Sequence, residues 1–253
     1  MLPWFQYTVI QLGPLPIQVW GSWVALGMIL TLVILWRRVT LSDRELVIDL
    51  AMWMIIGGLV FARAFHVLLY EPRFYLHYPV EILKVWHGGL SSLGGIAGAV
   101  IGFFTYAWGK HLDHKRLTAL ADLISFAALF GWMVGRIGCF MIHDHLGVHS
   151  NCPFAIRMPG GPRLDMALME ILGLVPLAII FLILRKKSLP AGFFTASLFV
   201  YYGVLRFILD FWRARDIVGA DARYAGLTPA QYGAILLVIM GGYFFFQLKR
   251  RKE

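Results

Sequence analysis

Seven stretches of about twenty mostly apolar residues constrain this chain more than any other feature: roughly 17–36, 46–70, 89–108, 117–141, 167–184, 191–212 and 229–247. That is the length of helix needed to cross a bilayer core. In hydrocarbon every backbone N–H and C=O must be bonded within the chain, so such runs become helices. The breaks between them, such as "EPRFYLHYP", "GKHLDHKR" and "RKKSLPAG", are polar or rich in Pro and Gly. Only 15% of residues are charged and the mean hydropathy is +0.71, whereas soluble domains carry about 25% charge. The expected fold is an all-α, polytopic membrane helix bundle. It has seven transmembrane helices in one integral-membrane domain over residues 1–253.

The net charge of +9 is not a nucleic-acid signal, because the basic residues sit at the ends of the apolar runs, where membrane topology places them. With the N-terminus outside, thirteen of the 23 Lys and Arg fall on inner segments, seven on outer segments and three within spans. This asymmetry predicts an outer N-terminus and a cytoplasmic C-terminus. Periplasmic loops are then expected near 71–88, 142–166 and 213–228. The leading "MLPWFQYTVIQLG" has no Lys or Arg, so the first run reads as a retained span and not as a signal peptide. Two cysteines, Cys139 and Cys152, make no disulfide framework.

Ionisable residues inside spans cost at least about 2.5–3.5 kcal/mol each near the bilayer centre. The candidates for a functional role are Arg63, His66, Asp122, Arg136, Glu170, Arg206 and Asp210. Arg63, Arg136 and Arg206 lie on three different spans. Either they converge on one anionic group or they snorkel to the headgroups. Arg206 and Asp210, four residues apart, share a helix face. They form a structural ion pair or hold an arginine fork ready for phosphate. Gly94, Gly98 and Gly102 let helix backbones approach, and the loop before them offers Ser91 and Ser92 with backbone amides to an oxygen-rich ligand. In "GRIGCFMIHDHLG", residues 135–147, the cluster His143, Asp144 and His145 follows Arg136 by two turns. With His149 and Cys152 it lacks a strong zinc spacing, so no metal is expected. A histidine there is a candidate proton acceptor, with an Asp to orient it.

These residues together resemble the prolipoprotein diacylglyceryl transferase family. The signature G-R-[IL]-G-N-F-x-N-x-E-x-x-G is similar to residues 135–147, and Gly138 keeps its place in it. "LGPLPIQVWG", "VFARAFHVLLY", "KVWHGGLSSLGGIAG", "PFAIRMPG" and "YYGVLRFILDFWRARD" follow in family order, so the resemblance covers nearly the whole chain. It implies a multi-pass enzyme of the bacterial inner membrane. The diacylglyceryl group of phosphatidylglycerol passes to the lipobox cysteine thiol of a prolipoprotein, and glycerol 1-phosphate is released. The implied partners are phosphatidylglycerol, prolipoprotein signal peptides and membrane lipids, with no nucleic acid and no cofactor.

By the resemblance, Arg136 and Arg206 match the family's arginines, and Asp144, Glu170 and Asp210 are the matching acidic residues. The chemistry of a phosphate leaving group assigns Arg136 and Arg206 to the phosphate, with Arg63 as a weaker third. Ser91 and Gly138 belong to the substrate site. His143 or His145 takes the thiol proton, which makes His143, Asp144, His145 and Arg206 the catalytic set. The chain also departs from the pattern. Leu93 stands where the family's Gly-rich loop has a histidine, and His87 lies six residues upstream. Cys139 and Ile142 replace the signature asparagines, and Trp20 replaces a tyrosine. The H-P-S-Q-x-Y-E stretch has become "LDMALME", which keeps its glutamate. The HDH triplet either replaces the lost histidine or marks a divergent paralogue with another lipid task. A transporter of anionic lipid is a further alternative, although it usually shows internal repeats.

Overall fold

The computed structural model describes residues 1–85, 88–217 and 220–250. In chain order the elements are β1 (Val9–Leu12), β2 (Leu15–Gln18), α1 (Val19–Arg38), α2 (Arg44–Phe65), α3 (Pro72–His77), α4 (Ser92–Gly109), α5 (His114–Ile142), β3 (Leu146–His149), β4 (Ile156–Met158), β5 (Gly161–Asp165), α6 (Met166–Leu184), α7 (Phe193–Leu209) and α8 (Pro229–Arg250). Among the described residues, six helical segments are long and apolar enough to cross a membrane. These are α1, α2 with its flanking turns, α5, α6, α7 with the turn after it, and α8. The apolar part of α4, Leu93–Gly109, is shorter. The class is a membrane helical bundle, with six candidate spans among the described residues where the sequence led to an expectation of seven.

The all-helical expectation needs one correction. β1 and β2 pair as an antiparallel hairpin, and β3, β5 and β4 form a three-stranded sheet in that order. The sheet lies in the stretch expected to be an irregular loop, 142–166. Its strands are three to five residues long, too short for alternation to register in the sequence. Gly160 and Gly161, at φ +96 and +116, supply the left-handed turn that joins β4 to β5.

The chain forms two compact units, Leu35–Leu117 and Met1–Ile34 with Thr118–Glu253. In the first, α4 lies backbone to backbone on α2. A Cβ on Gly57 would stand 2.5 Å from the Gly98 carbonyl, and the open faces of Gly94, Gly98 and Gly102 meet Phe61, Gly57 and Trp53. The small-residue stripe is therefore a helix-packing surface. Ser91 is buried and caps α4, its hydroxyl accepting from Gly94 N at 3.4 Å. The side chain of Ser91 thus serves the helix start, and His87 lies outside the described residues.

Arg63 is 6% exposed, and its N–H groups go to backbone carbonyls. Nε donates to Ile82 at 2.9 Å, Nη1 to Gly88 at 2.5 Å and Gly89 at 2.8 Å, and Nη2 to Glu81 and to Lys84 at 3.3 Å. A guanidinium has five N–H donors, so none is left for a phosphate oxygen. The third phosphate arginine expected from the sequence here staples the backbone at residues 81–84 and 88–89.

In the second unit, α5, α6 and α7 enclose an apolar core built on Phe126, Leu129, Leu174, Leu177 and Phe181. Asp122, costly in a span, is used structurally. Its carboxylate accepts from Thr195 N at 2.8 Å, which caps the start of α7 from a neighbouring helix. Gly138 faces α1, where an added Cβ would lie 2.9 Å from Trp23 Cβ and 3.0 Å from the Trp20 carbonyl. The role of that glycine is close packing.

Replacing Gly98 with leucine forces α2 and α4 apart. It is expected to destabilise the protein by about 1–3 kcal/mol, read as a lower thermal midpoint in detergent, whereas leucine at the open Gly109 leaves the midpoint nearly unchanged.

Candidate active site

The charges that the second unit buries are organised around one carboxylate. Glu170, in the second turn of α6, is 1% exposed. Its Oε1 accepts from Arg136 Nε at 2.8 Å, Trp132 Nε1 at 2.8 Å and Tyr202 Oη at 3.2 Å. Its Oε2 accepts from Arg206 Nη1 at 3.2 Å. Trp132 and Arg136 are one turn apart on α5, as are Tyr202 and Arg206 on α7, so each helix presents an aromatic donor beside a guanidinium. The Arg136 guanidinium also stands 5.1 Å from the Trp132 ring centroid.

A second carboxylate extends the cluster. Asp210 is fully buried and lies 3.3 Å from Arg206 Nη2 and 3.8 Å from Arg213 Nη1. It accepts from the Thr228 hydroxyl, which ties it to the start of α8. Arg213 reaches Asp221 at 2.7 Å and donates from Nη2 to His145 Nδ1 at 3.3 Å. The three guanidiniums keep side-chain exposures of 13%, 14% and 15%.

The two histidines of HDH are held in opposite ways. Since Arg213 only donates, His145 Nδ1 accepts and Nε2 carries the ring proton. Burial, then Arg136, Arg213 and Arg206, drive the pKa of His145 down to about 3, so it is a neutral donor at physiological pH. Asp144 keeps a side-chain exposure of 32%, yet partial burial pushes its carboxyl up to about 6 against the pull of Arg136. His143 turns to different partners, with Nδ1 2.7 Å from Asp165 Oδ2. Cys139 Sγ accepts from Arg136 Nη1 at 3.7 Å. Cys139, Asp144 and His145 each bring a donor atom within 4.8 Å of the others, but a divalent cation there would sit between guanidiniums that repel it.

Of the residues named from sequence, the fold brings Arg136, Glu170, Arg206, Asp210 and His145 into one network and leaves Asp144 at its edge. Arg63, Ser91 and Gly138 serve packing and loop structure as described above. The network also includes Arg213, Trp132 and Tyr202, which sequence reading gave no role. Arg213 stands in the same R-x3-[DE]-F-x-R stretch as Arg206, and that was the available signal. Trp132 and Tyr202 look like ordinary apolar-face aromatics.

A multi-pass membrane protein with paired arginines gathered on a buried glutamate is the class that fold and site define. The chain belongs to the prolipoprotein diacylglyceryl transferase family, whose sequence model matches residues 7–247. It is similar to the phosphatidylglycerol–prolipoprotein diacylglyceryl transferase of Bordetella parapertussis, at 31% identity over 96% of each chain. The proteins of that name from Zymomonas mobilis and Azospirillum brasilense are 32% and 29% identical. Those two alignments cover 91% and 98% of this chain and 84% and 96% of the relatives.

Removing one member of a buried ion pair leaves the other uncompensated, at about 3–5 kcal/mol. Glu170→Ala is therefore expected to lower the thermal midpoint sharply and Glu170→Gln less, because the amide oxygen still accepts from Trp132 and one arginine. For Asp144 the native pKa is raised, so the folded protein holds the proton more tightly than the unfolded chain. The resulting stabilisation is present below about pH 4 and is lost as pH rises through about 6. Asp144→Asn should accordingly raise the midpoint at neutral pH and leave it unchanged in acid, in thermal scans at both pH values.

Proposed function

We propose that this chain transfers the diacylglyceryl group of phosphatidylglycerol to the lipobox cysteine thiol of prolipoproteins, releasing glycerol 1-phosphate. The observation that carries the reading is the placement of Arg136 and Arg206 together on the buried Glu170. Family membership and the names of the relatives give the chemistry that such an anion site would serve. A leaving glycerol phosphate gains negative charge as its ester bond breaks. Preorganised guanidiniums in a low-dielectric pocket stabilise that charge without reorganising. Glu170 fixes their orientation, and Arg213, with Asp210 and Asp221, adds a third cation beside His145.

The topology read from Lys and Arg supports the same picture. With seven crossings, an outer N-terminus and a cytoplasmic C-terminus, the ends of α5 and α7 and the start of α6 face outward in the bacterial inner membrane. Arg136, Arg206 and Glu170 lie toward those ends. The periplasmic stretches near 71–88, 142–166 and 213–228 would then belong to one integral-membrane domain, and phosphatidylglycerol and the signal peptide would meet at the outer leaflet. The residues named for the chemistry need neither a metal nor an organic cofactor.

The test is reconstitution with phosphatidylglycerol vesicles and a lipobox peptide, measuring thioether product and released glycerol phosphate. Arg136→Ala and Arg206→Ala should each lower kcat/KM by about 10²–10³-fold. A correctly inserted wild type that forms neither product would point to a paralogue that handles anionic lipid without transfer.

A further inference from the structure

His143 follows the last turn of α5 at φ +53, a left-handed backbone that costs a non-glycine residue about 1–3 kcal/mol. Its side chain is 1% exposed. Nδ1 meets Asp165 Oδ2 at 2.7 Å, and Asp165 is itself fully buried. The other carboxylate oxygen of Asp165 accepts from Leu168 N at 3.0 Å and caps α6, the helix that carries Glu170. Nε2 of His143 is buried and has no hydrogen-bond partner among the described residues. An unpaired buried nitrogen costs about 1–3 kcal/mol. Strain and an orphaned polar atom at one residue call for a functional account.

The N-terminal segment closes over this ring. Trp4 stacks on it at 4.9 Å between centroids, and Phe5 and Phe140 approach at 4.7 and 5.6 Å. On one side of Trp4 the segment is pinned by Leu2 N to the Ala155 carbonyl, and on the other by Tyr7 N to the Met141 carbonyl. Trp4 is itself 40% exposed. Among the described residues, the charged group against the ring is Asp165; Trp4, Phe5 and Phe140 carry none.

A carboxylate on Nδ1 fixes the proton there and leaves the lone pair on Nε2, which is how a general base is oriented by a third group. His145 has the opposite arrangement, since Arg213 occupies the lone pair of Nδ1 and Nε2 bears the hydrogen. Resting on the transferase reading above, we infer that His143, oriented by Asp165, is the base that accepts the proton of the incoming lipobox thiol. Nε2 takes the S–H proton as the sulfur forms a C–S bond to the glyceryl carbon bearing the phosphate ester. The C–O bond at that carbon breaks, and its electron pair leaves on glycerol phosphate beside Arg136 and Arg206. The proton on His143 then passes to the released phosphate or to solvent. The thiol enters from the side that Trp4 and Phe5 cover.

The experiment compares wild type, His143→Gln and Asp165→Asn in the reconstituted assay. It measures kcat from about pH 6 to pH 9, across the thiol pKa of about 8.5, and phosphatidylglycerol affinity by lipid-dependent thermal stabilisation. His143→Gln should lose about 10²-fold or more of kcat at pH 7 while keeping its lipid affinity. The deficit should shrink toward pH 9, where the peptide thiol ionises without help. Asp165→Asn retains an acceptor for Leu168 N and should show a smaller loss with the same pH trend. A His143→Gln enzyme that binds lipid and turns over at the wild-type rate overturns the inference, as does a deficit independent of pH, which would make the pair a structural latch. If His143→Gln fails to bind lipid because it misfolds, Asp165→Asn decides by the same two criteria. An inactive wild type would overturn the transferase reading itself and this inference with it, an outcome distinct from variant results against an active wild type.

Discussion

The candidate site depends on one buried carboxylate. Glu170 accepts hydrogen bonds from two guanidiniums, an indole and a phenol. Two arginines on neighbouring helices would repel one another in a low-dielectric interior. A single negative charge between them converts that repulsion into a bridge, and the aromatic donors complete the acceptor capacity of the carboxylate. Burying charge in this way contributes little to net stability by itself. It sets the position of two cations relative to one another, and positioning of that kind is what electrostatic preorganisation requires.

The remainder of the second unit supports this arrangement. Asp122 caps α7 from α5, Asp165 caps α6, and Asp210 joins α7 to the start of α8 through Thr228. Each of these buried carboxylates therefore satisfies a helix end or a guanidinium, which is the condition for tolerating it away from water. The three-stranded sheet performs the same service for the stretch after α5. It returns the chain so that His145 meets Arg213 and His143 meets Asp165, two pairings that give adjacent histidines opposite tautomers.

The helices were legible because their signal is local. A run of apolar residues of bilayer length admits few other structures. Arg136, Glu170, Arg206 and Asp210 stood out because a charge in such a run needs a reason. Arg63 stood out on the same ground, yet its reason is different. Its partners are backbone carbonyls 18 to 26 residues downstream, and carbonyls leave no mark in a sequence. Trp132 and Tyr202 were invisible for the converse reason, since aromatic residues on an apolar helix read as packing until a carboxylate is seen beside them.

What the sequence determined alone is a polytopic helical chain with helix-packing glycines and a small set of intramembrane charges. These follow from hydrophobicity, length and residue size, which act over a few turns. Which charges share a partner was decided only by the tertiary structure. Arg136 and Arg206 lie 34 and 36 residues from Glu170, and His143 and Asp165 are 22 apart. Hydrogen-bond geometry across different helices selects those pairs. It also decides whether a histidine offers a proton or a lone pair, because that depends on what the other ring nitrogen touches.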